Sequence, residues 1–237
     1  MENFQYIIVK INILVNQIFK IPKIKYVILF ILGFYLKQII LLIILFITIS
    51  IFHVSAKPSK LIFIEQLYNL YEKNLMSNQT NNKKNIFWLE NSLNLPNIHP
   101  SQAIVVTKTW EEYVKYKILL RFHIYYLLTK EYMGWGWEFD KRDVVFYNMT
   151  WAEDLKKSFE LAKSRYLLAQ HYWEKTKLYA SEANKIDIVI DWVKIEDLAY
   201  QIDNEEFDYD YDTVIEMRLN SIEEKLKKID DFMQIKR

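Results

Sequence analysis

The chain contains no cysteine, only three glycines and only four prolines among its 237 residues. Without cysteine there is no disulfide bond, no thiol nucleophile and no cysteine-ligated metal. So few glycines and prolines argue against a turn-rich β-fold, and they exclude a glycine-rich loop that binds phosphate. The composition therefore favours helices and removes several classes of enzyme.

The chain also lacks an excess of either charge, with 31 basic residues against 30 acidic ones. No basic stripe is present, so we expect no nucleic-acid partner. The four histidines show no metal-binding spacing, and there is no Gly-x-Ser-x-Gly nucleophile motif. We therefore predict no catalytic residue, no metal, no cofactor and no small-molecule substrate, and we expect a protein that is not an enzyme.

One long apolar run, from Gln38 to Ala56, contains no Asp, Glu, Lys, Arg, Gly or Pro. A helix needs roughly 20 apolar residues to cross the hydrocarbon core of a bilayer. Five lysines precede the run against the single acidic residue Glu2, so the positive-inside rule places that end in the cytoplasm. We predict a single-pass protein of a bacterial cytoplasmic membrane, with residues 57–237 in the periplasm.

The end of this run leaves two alternatives open. Val54-Ser55-Ala56 fits the small-residue pattern of a signal-peptidase site, so both a cleaved signal and a retained anchor agree with the sequence. An exported domain without cysteine is more typical of a bacterial envelope than of a eukaryotic secretory route. The predicted segments are a basic amphipathic cytoplasmic segment (1–37), an anchor or signal (38–56), an extracytoplasmic helical domain (57–203), and an acidic hinge with a C-terminal amphipathic helix (204–237).

Hydrophobic residues after position 60 recur at helical spacing. The pattern predicts helices near 61–75, 86–95, 109–133, 150–184, 187–202 and 213–233. Thr109 with Glu112, and Thr150 with Glu153, have the spacing of capping boxes. We predict that the stretch 132–139 interrupts the third helix. The predicted buried stripe of the fourth helix is Trp151, Leu155, Phe159, Ala162, Tyr166, Ala169, Trp173 and Ala180.

The sequences that start the third and fourth helices resemble each other, since Thr-Trp occurs at 109 and again at 150. This spacing is close to the period of helical-hairpin repeats. Ala162, Tyr166 and Ala169 resemble the second-helix signature of the tetratricopeptide family, although the first-helix signature Trp-x2-Leu-Gly-x2-Tyr is absent. The predicted fold is all-α, with an N-terminal transmembrane helix followed by either a tetratricopeptide-like helical-hairpin array or a helical bundle.

With its apolar anchor, cysteine-free aromatic helical domain and partial repeat signature, the chain resembles the periplasmic collar proteins of the spirochaete flagellar motor. The resemblance implies a membrane-anchored scaffold that binds other proteins in a membrane-associated assembly. It also implies a role in motor assembly, in stator recruitment and in motility.

Two aromatic stretches are candidate protein-binding surfaces, because Trp and Tyr supply large contact areas at interface hot spots. The first contains Trp135 and Trp137. The second, Asp203 to Asp212, interleaves Phe207, Tyr209 and Tyr211 with acidic residues. A solvated linker and a calcium loop are alternatives for this acidic stretch, although Thr213 and Leu219 replace the glycine and glutamate of a calcium loop.

The C-terminal helix is a third candidate surface. Its apolar residues follow a 3.5-residue period, which is typical of a seam that matches one partner helix. They are Ile215, Leu219, Ile222, Leu226, Ile229 and Met233. Packing of this seam on the protein's own domain is equally compatible with the pattern.

A different class of function also fits the tryptophan stretch. Glu138, Asp140 and Asp143 lie beside Trp135 and Trp137. Aromatic rings stack on sugars, and a carboxylate pair cleaves glycosidic bonds. A cell-wall glycan-binding module or glycan-cleaving envelope enzyme is therefore the alternative.

Overall fold

A computed structural model describes residues 33–42, 60–77, 81–141, 149–207 and 209–234. The chain divides into two units, Met1–Ser59 and Lys60–Arg237. In the first unit, residues 33–42 form helix α1, whose side chains are exposed. Residues 43–56 of the predicted membrane segment lie outside the described residues. None of the helices described here is both long and apolar enough to cross a membrane.

The described part of the second unit contains six α-helices, two short 3₁₀ helices and no strand, which confirms the all-α prediction. The 3₁₀ helices are Pro100–Gln102 and Met149–Trp151. The α-helices are α2 (Ile64–Ser77), α3 (Asn82–Leu93), α4 (Trp110–Phe139), α5 (Ala152–Asn184), α6 (Val193–Asp203) and α7 (Tyr211–Gln234).

The centre of the domain is the pair α4 and α5, two long helices with the most extensive interface in the unit. Helix α4 is apolar nearly all round, and Leu119, Phe122 and Ile124 are fully buried. Helix α3 packs on both α2 and α4, whereas α6 and α7 pack on α5. The two similar Thr-Trp sequences therefore lie at the starts of α4 and α5, which pack on each other as one pair. They do not mark the starts of two separate helical hairpins.

The predicted stripe of α5 is buried from Leu155 to Ala180, which confirms that part of the prediction. Trp151 was predicted to belong to the stripe and is exposed instead. The reason is that α5 begins one residue later, so Trp151 occupies the N-cap and makes no side-chain capping bond. At α4 the predicted cap is present, because Thr109 Oγ1 accepts a 3.1 Å hydrogen bond from the Glu112 amide.

The glycine-containing stretch does not interrupt α4, which continues through it to Phe139. The glycines act as spacers for packing. A Cβ atom on Gly136 would lie 2.5 Å from Cε1 of Tyr166 on α5, and one on Gly134 would lie 3.2 Å from the Asn82 side chain on α3. The prediction of a break was wrong because glycine lowers helix propensity by only about 1 kcal/mol, which tertiary packing overrides.

Candidate protein-binding surfaces

The helical conformation of the tryptophan stretch separates the two predicted binding residues. Side chains two positions apart point to opposite sides of a helix. The Arg165 guanidinium of α5 lies over the Trp135 ring, 3.8 Å from its centroid. The Arg218 guanidinium of α7 lies 5.1 Å from the centroid of Trp137, which is half exposed. The two tryptophans therefore do not form one platform for a sugar or a peptide.

The carboxylates of the glycan-cleaving alternative have separate environments. Asp140 has a fully buried side chain, 2.6 Å from Lys225 Nζ and 3.7 Å from an Arg218 nitrogen. Glu138 accepts a 2.9 Å hydrogen bond from the Asn82 amide, and Asp143 lies outside the described residues. Asp140 thus connects the end of α4 to α7 and does not face an open cleft.

The seam of α7 packs on the protein's own domain. Ile215, Ile222 and Ile229 are buried, and Leu219, Leu226 and Met233 are partly buried against the same core. Ile222 and Ile229 belong to one buried cluster together with four residues of α5, namely Leu155, Phe159, Ala162 and Tyr166. Leu219, Ile222, Leu226 and Ile229, which the sequence suggested as partner-binding residues, thus pack within this chain, because the seam also matches α5.

Two ion pairs border one side of the seam, because their residues lie seven positions apart on each helix. Lys156 lies 2.6 Å from Asp230, and Lys163 lies 2.8 Å from Glu223. Such partly exposed pairs each contribute up to about 1 kcal/mol, so they fix the alignment of the two helices more than the stability. The acidic stretch before α7 is consequently a connection between two docked helices.

That connection forms one wall of a cavity of about 480 Å³, which we call the acidic–aromatic cavity. Trp173 of α5 is buried at its base, and its ring centroid lies 5.1 Å from that of Tyr211. The ring centroid of Tyr209 lies 4.7 Å from that of Tyr211, and the Tyr209 side chain is 49% exposed. Phe207 packs against Tyr126 of α4, with 6.1 Å between the two ring centroids. Phe207 and the accessible Tyr209 thus line one opening with Trp173, and Tyr211 is buried in contact with both Trp173 and Tyr209.

The charged lining of the acidic–aromatic cavity comprises four carboxylates and one lysine, namely Asp203, Glu205, Asp210, Asp212 and Lys177. Lys177 Nζ lies 3.0 Å from Asp212, which also accepts a 2.9 Å hydrogen bond from the Trp173 indole. The other three carboxylates form no ion pair with a cavity residue. The opening therefore has a net negative charge.

Local hydrogen bonds hold the carboxylate of Asp210 in place. Asp210 caps α7 by accepting hydrogen bonds from the Thr213 hydroxyl and from the amides of Asp212 and Thr213, which lower the pKa of Asp210. Glu205 follows the end of α6 by two residues, and its backbone is in the left-handed region with a φ of 58°. Asp208 lies outside the described residues, among which no set of three carboxylate or histidine side chains is arranged to bind a metal ion.

The sequence model of a family described as Domain of unknown function (DUF8513) matches residues 111–232. The chain belongs to the DUF8513 family. No curated protein and no solved structure matches the chain.

The DUF8513 match extends from the first turn of α4 almost to the end of α7. It thus includes the acidic–aromatic cavity and the Asp140–Lys225 pair, whereas α2 and α3 precede it. Sequence patterns identified Phe207, Tyr209 and Tyr211 in this part of the chain, but not Trp173 as a cavity residue. The apolar stripe of α5 does indicate that Trp173 is buried, but the contact of its indole with a carboxylate 39 residues later has no local signal.

Proposed function

We propose that this DUF8513 protein is a membrane-anchored helical scaffold that binds a basic segment of another protein in the acidic–aromatic cavity. The observation that supports this proposal most directly is the position of Tyr209. Its half-exposed ring stands at an opening lined by Asp203, Glu205 and Asp210. A Lys or Arg side chain of a partner would find both an aromatic surface and opposite charge there.

The chemistry of the opening favours a cation over other ligands. An ammonium or guanidinium group over a Tyr ring gains about 0.5–1 kcal/mol at an exposed site. Carboxylates nearby add charge-assisted hydrogen bonds and accelerate association through long-range attraction. Binding of this kind weakens at high ionic strength, because salt screens exposed charges.

The apolar run that ends at Ala56 anchors the protein in this proposal, and the domain from Lys60 onward is periplasmic. The assembly that the protein joins is the collar of a spirochaete-type flagellar motor, where it would support assembly and motility. An alkaline phosphatase fusion after Lys60 is then active. An inactive fusion at this position, together with an active cytoplasmic reporter, rejects the proposed location.

Two matched pairs of variants test the binding site in the full-length protein. Tyr209→Ala removes the accessible ring of the cavity, and Tyr200→Ala is its control, because Tyr200 is 51% exposed on α6 and does not line the cavity. Glu205→Gln removes a carboxylate of the cavity, and Glu206→Gln removes an adjacent one that does not line it. Affinity purification from detergent-solubilised membranes, followed by quantitative mass spectrometry, measures the recovery of each partner.

We expect one partner whose recovery falls about fivefold with Tyr209→Ala and also falls with Glu205→Gln, since about 1 kcal/mol corresponds to a factor of about five in affinity. The two control variants should retain that partner at the wild-type level. Equal recovery of every protein with all four variants would show that the cavity is not the binding site.

A further inference from the structure

A group of apolar side chains is exposed at one end of the domain, which we call the apolar end. It comprises residues from three separate segments, namely Leu61, Ile62, Ile104, Val106, Trp110, Val189 and Val193. Val106, Trp110, Val189 and Val193 are each more than half exposed. Single exposed apolar residues are common on protein surfaces, whereas a group rimmed by polar residues marks an interaction site.

Hydrogen bonds join the start of the domain to the segment before α4. The Ile64 amide donates to the Pro96 carbonyl at 3.0 Å, and the Ile98 amide donates to Glu65 at 3.0 Å. The Tyr113 hydroxyl of α4 donates to the Ile98 carbonyl. Residues 61–65, residues 96–106 and the first turn of α4 therefore lie at the same end of the domain.

A buried lysine joins the third segment to this end. Lys115, one turn further along α4, donates to the Ile188 carbonyl and lies 2.6 Å from Glu196 of α6. Glu196 in turn accepts a 3.2 Å hydrogen bond from the Ile190 amide. The connection that carries Val189 and leads to Val193 is thereby held beside the start of α4.

We infer that the apolar end rests on the surface of the lipid bilayer. This inference depends on the membrane anchoring in the proposed function. The described domain begins at Lys60, four residues after the apolar run ends at Ala56. A chain spans at most about 3.3–3.6 Å per residue, so at most about 14 Å of extended chain would tie Lys60 to the proposed anchor. The end of the domain that contains Lys60 is therefore held next to the bilayer.

The chemistry of the apolar end suits the boundary between lipid headgroups and acyl chains. Trp110 is a residue type that concentrates at that boundary, because its ring is apolar and its indole N–H remains hydrated. Lys60, Lys108, Lys185 and Lys194 are exposed on the same segments. Their ammonium groups can reach the phosphates of anionic lipids. The apolar side chains then enter the outer part of the acyl region, which removes them from water.

The absence of cysteine allows a direct test in the full-length chain. A nitroxide spin label is attached to Val189→Cys, where the native side chain is 82% exposed, and to Met76→Cys, where it is 84% exposed. Met76 lies at the opposite end of α2 from Ile64, so it provides a control with matched exposure. The proteins are reconstituted in vesicles of phosphatidylethanolamine and phosphatidylglycerol, and paramagnetic relaxation measures collisions with oxygen and with a water-soluble nickel chelate.

We expect the label at 189 to collide with nickel at least threefold less often than the label at 76, and with oxygen more often. A label on Val106→Cys should behave like the one at 189, which guards against a local defect in one variant. If the protein resists carbonate extraction from the vesicles but both labels are equally accessible to nickel, the bilayer contact is overturned and the anchor is retained. If carbonate extracts the protein, the anchoring in the proposed function fails and this inference fails with it. If the label at 189 is shielded from nickel only in native membranes, and not in vesicles of pure lipid, the bilayer contact is also overturned.

Discussion

The fully buried carboxylate of Asp140 lies 2.6 Å from the ammonium group of Lys225, 85 residues later in the chain. This pair joins the C-cap of α4 to the middle of α7. The Tyr166 hydroxyl donates to the same carboxylate at 3.2 Å, and Arg218 lies 3.7 Å from it. Asp140 thus connects the end of α4 to the middle of α5 and the middle of α7, and its charge requires that α7 stay in place.

Lys225→Met is expected to lower the free energy of unfolding by about 3 kcal/mol, because it leaves the buried Asp140 charge without its closest cation. Urea denaturation measures the loss. Lys227→Met, at an exposed position of the same helix, should change stability by less than about 0.5 kcal/mol. The double variant Asp140→Asn/Lys225→Met should recover part of the loss, since it removes both charges. Equal stability of the wild type and Lys225→Met would contradict this role of the pair.

Gly136→Ala is expected to destabilise the domain by about 1–3 kcal/mol, although alanine is the better helix former. The new Cβ would meet the Tyr166 ring at 2.5 Å, and this ring is confined by the core. Thermal unfolding of Gly136→Ala and Gly134→Ala provides the comparison. At position 134 the closest atom belongs to the partly exposed Asn82 side chain, which can move. A melting temperature that rises for both variants would show that the contact between α4 and α5 is loose at this point.

The seam of α7 should behave as part of the core. Phe159→Ala is expected to cost about 3–5 kcal/mol and Ile222→Ala about 2–5 kcal/mol, because both side chains are fully buried in one cluster. A double-mutant cycle should give a coupling energy of about 0.5–3 kcal/mol, as found for residues in contact. Leu226→Asp should lower the melting temperature, since Leu226 packs on the same cluster. An unchanged melting temperature for Leu226→Asp would instead favour a seam that serves a partner.

Patterns with a strong period predicted the fold well, since the stripe from Leu155 to Ala180 and the cap at Thr109 are both present. The errors occurred where a local preference competes with tertiary packing. Gly134 and Gly136 indicate a break when read locally, yet Asn82 and Tyr166 occupy the space that side chains would need.

The candidate site was predictable only in part, for a similar reason. Alternating aromatic and acidic residues indicated that Phe207, Tyr209 and Tyr211 belong to a contact surface. Which of them is accessible depends on α5, because Trp173 covers Tyr211 and leaves Tyr209 at the opening. Likewise the narrow seam of α7 did not reveal whether its partner is α5 or another protein, since the same period suits both.

His123 should make the stability of the domain depend on pH. Burial lowers the pKa of His123 from 6.5 to about 4, with a smaller contribution from the positive charge of Lys130. The folded protein therefore binds this proton less readily than the unfolded chain. The contribution of His123 to the free energy of unfolding is fully present above pH 6.5 and is lost as the pH falls towards 4. The loss amounts to about 3 kcal/mol in total. Below pH 4 both states are protonated, and no further loss follows from this group.

His123→Gln tests this dependence, because glutamine cannot take up a proton and still offers a hydrogen bond to the Tyr68 hydroxyl, which lies 2.8 Å from His123 Nδ1. Urea denaturation of the wild type and the variant between pH 4.5 and 7.5 gives the difference in slope. Burial raises the pKa of Glu131, which acts in the opposite direction, but this contribution is common to both proteins and cancels. We expect the wild type to lose more stability than the variant over this range. Parallel curves would mean that His123 is as easily protonated in the folded protein as in the unfolded chain.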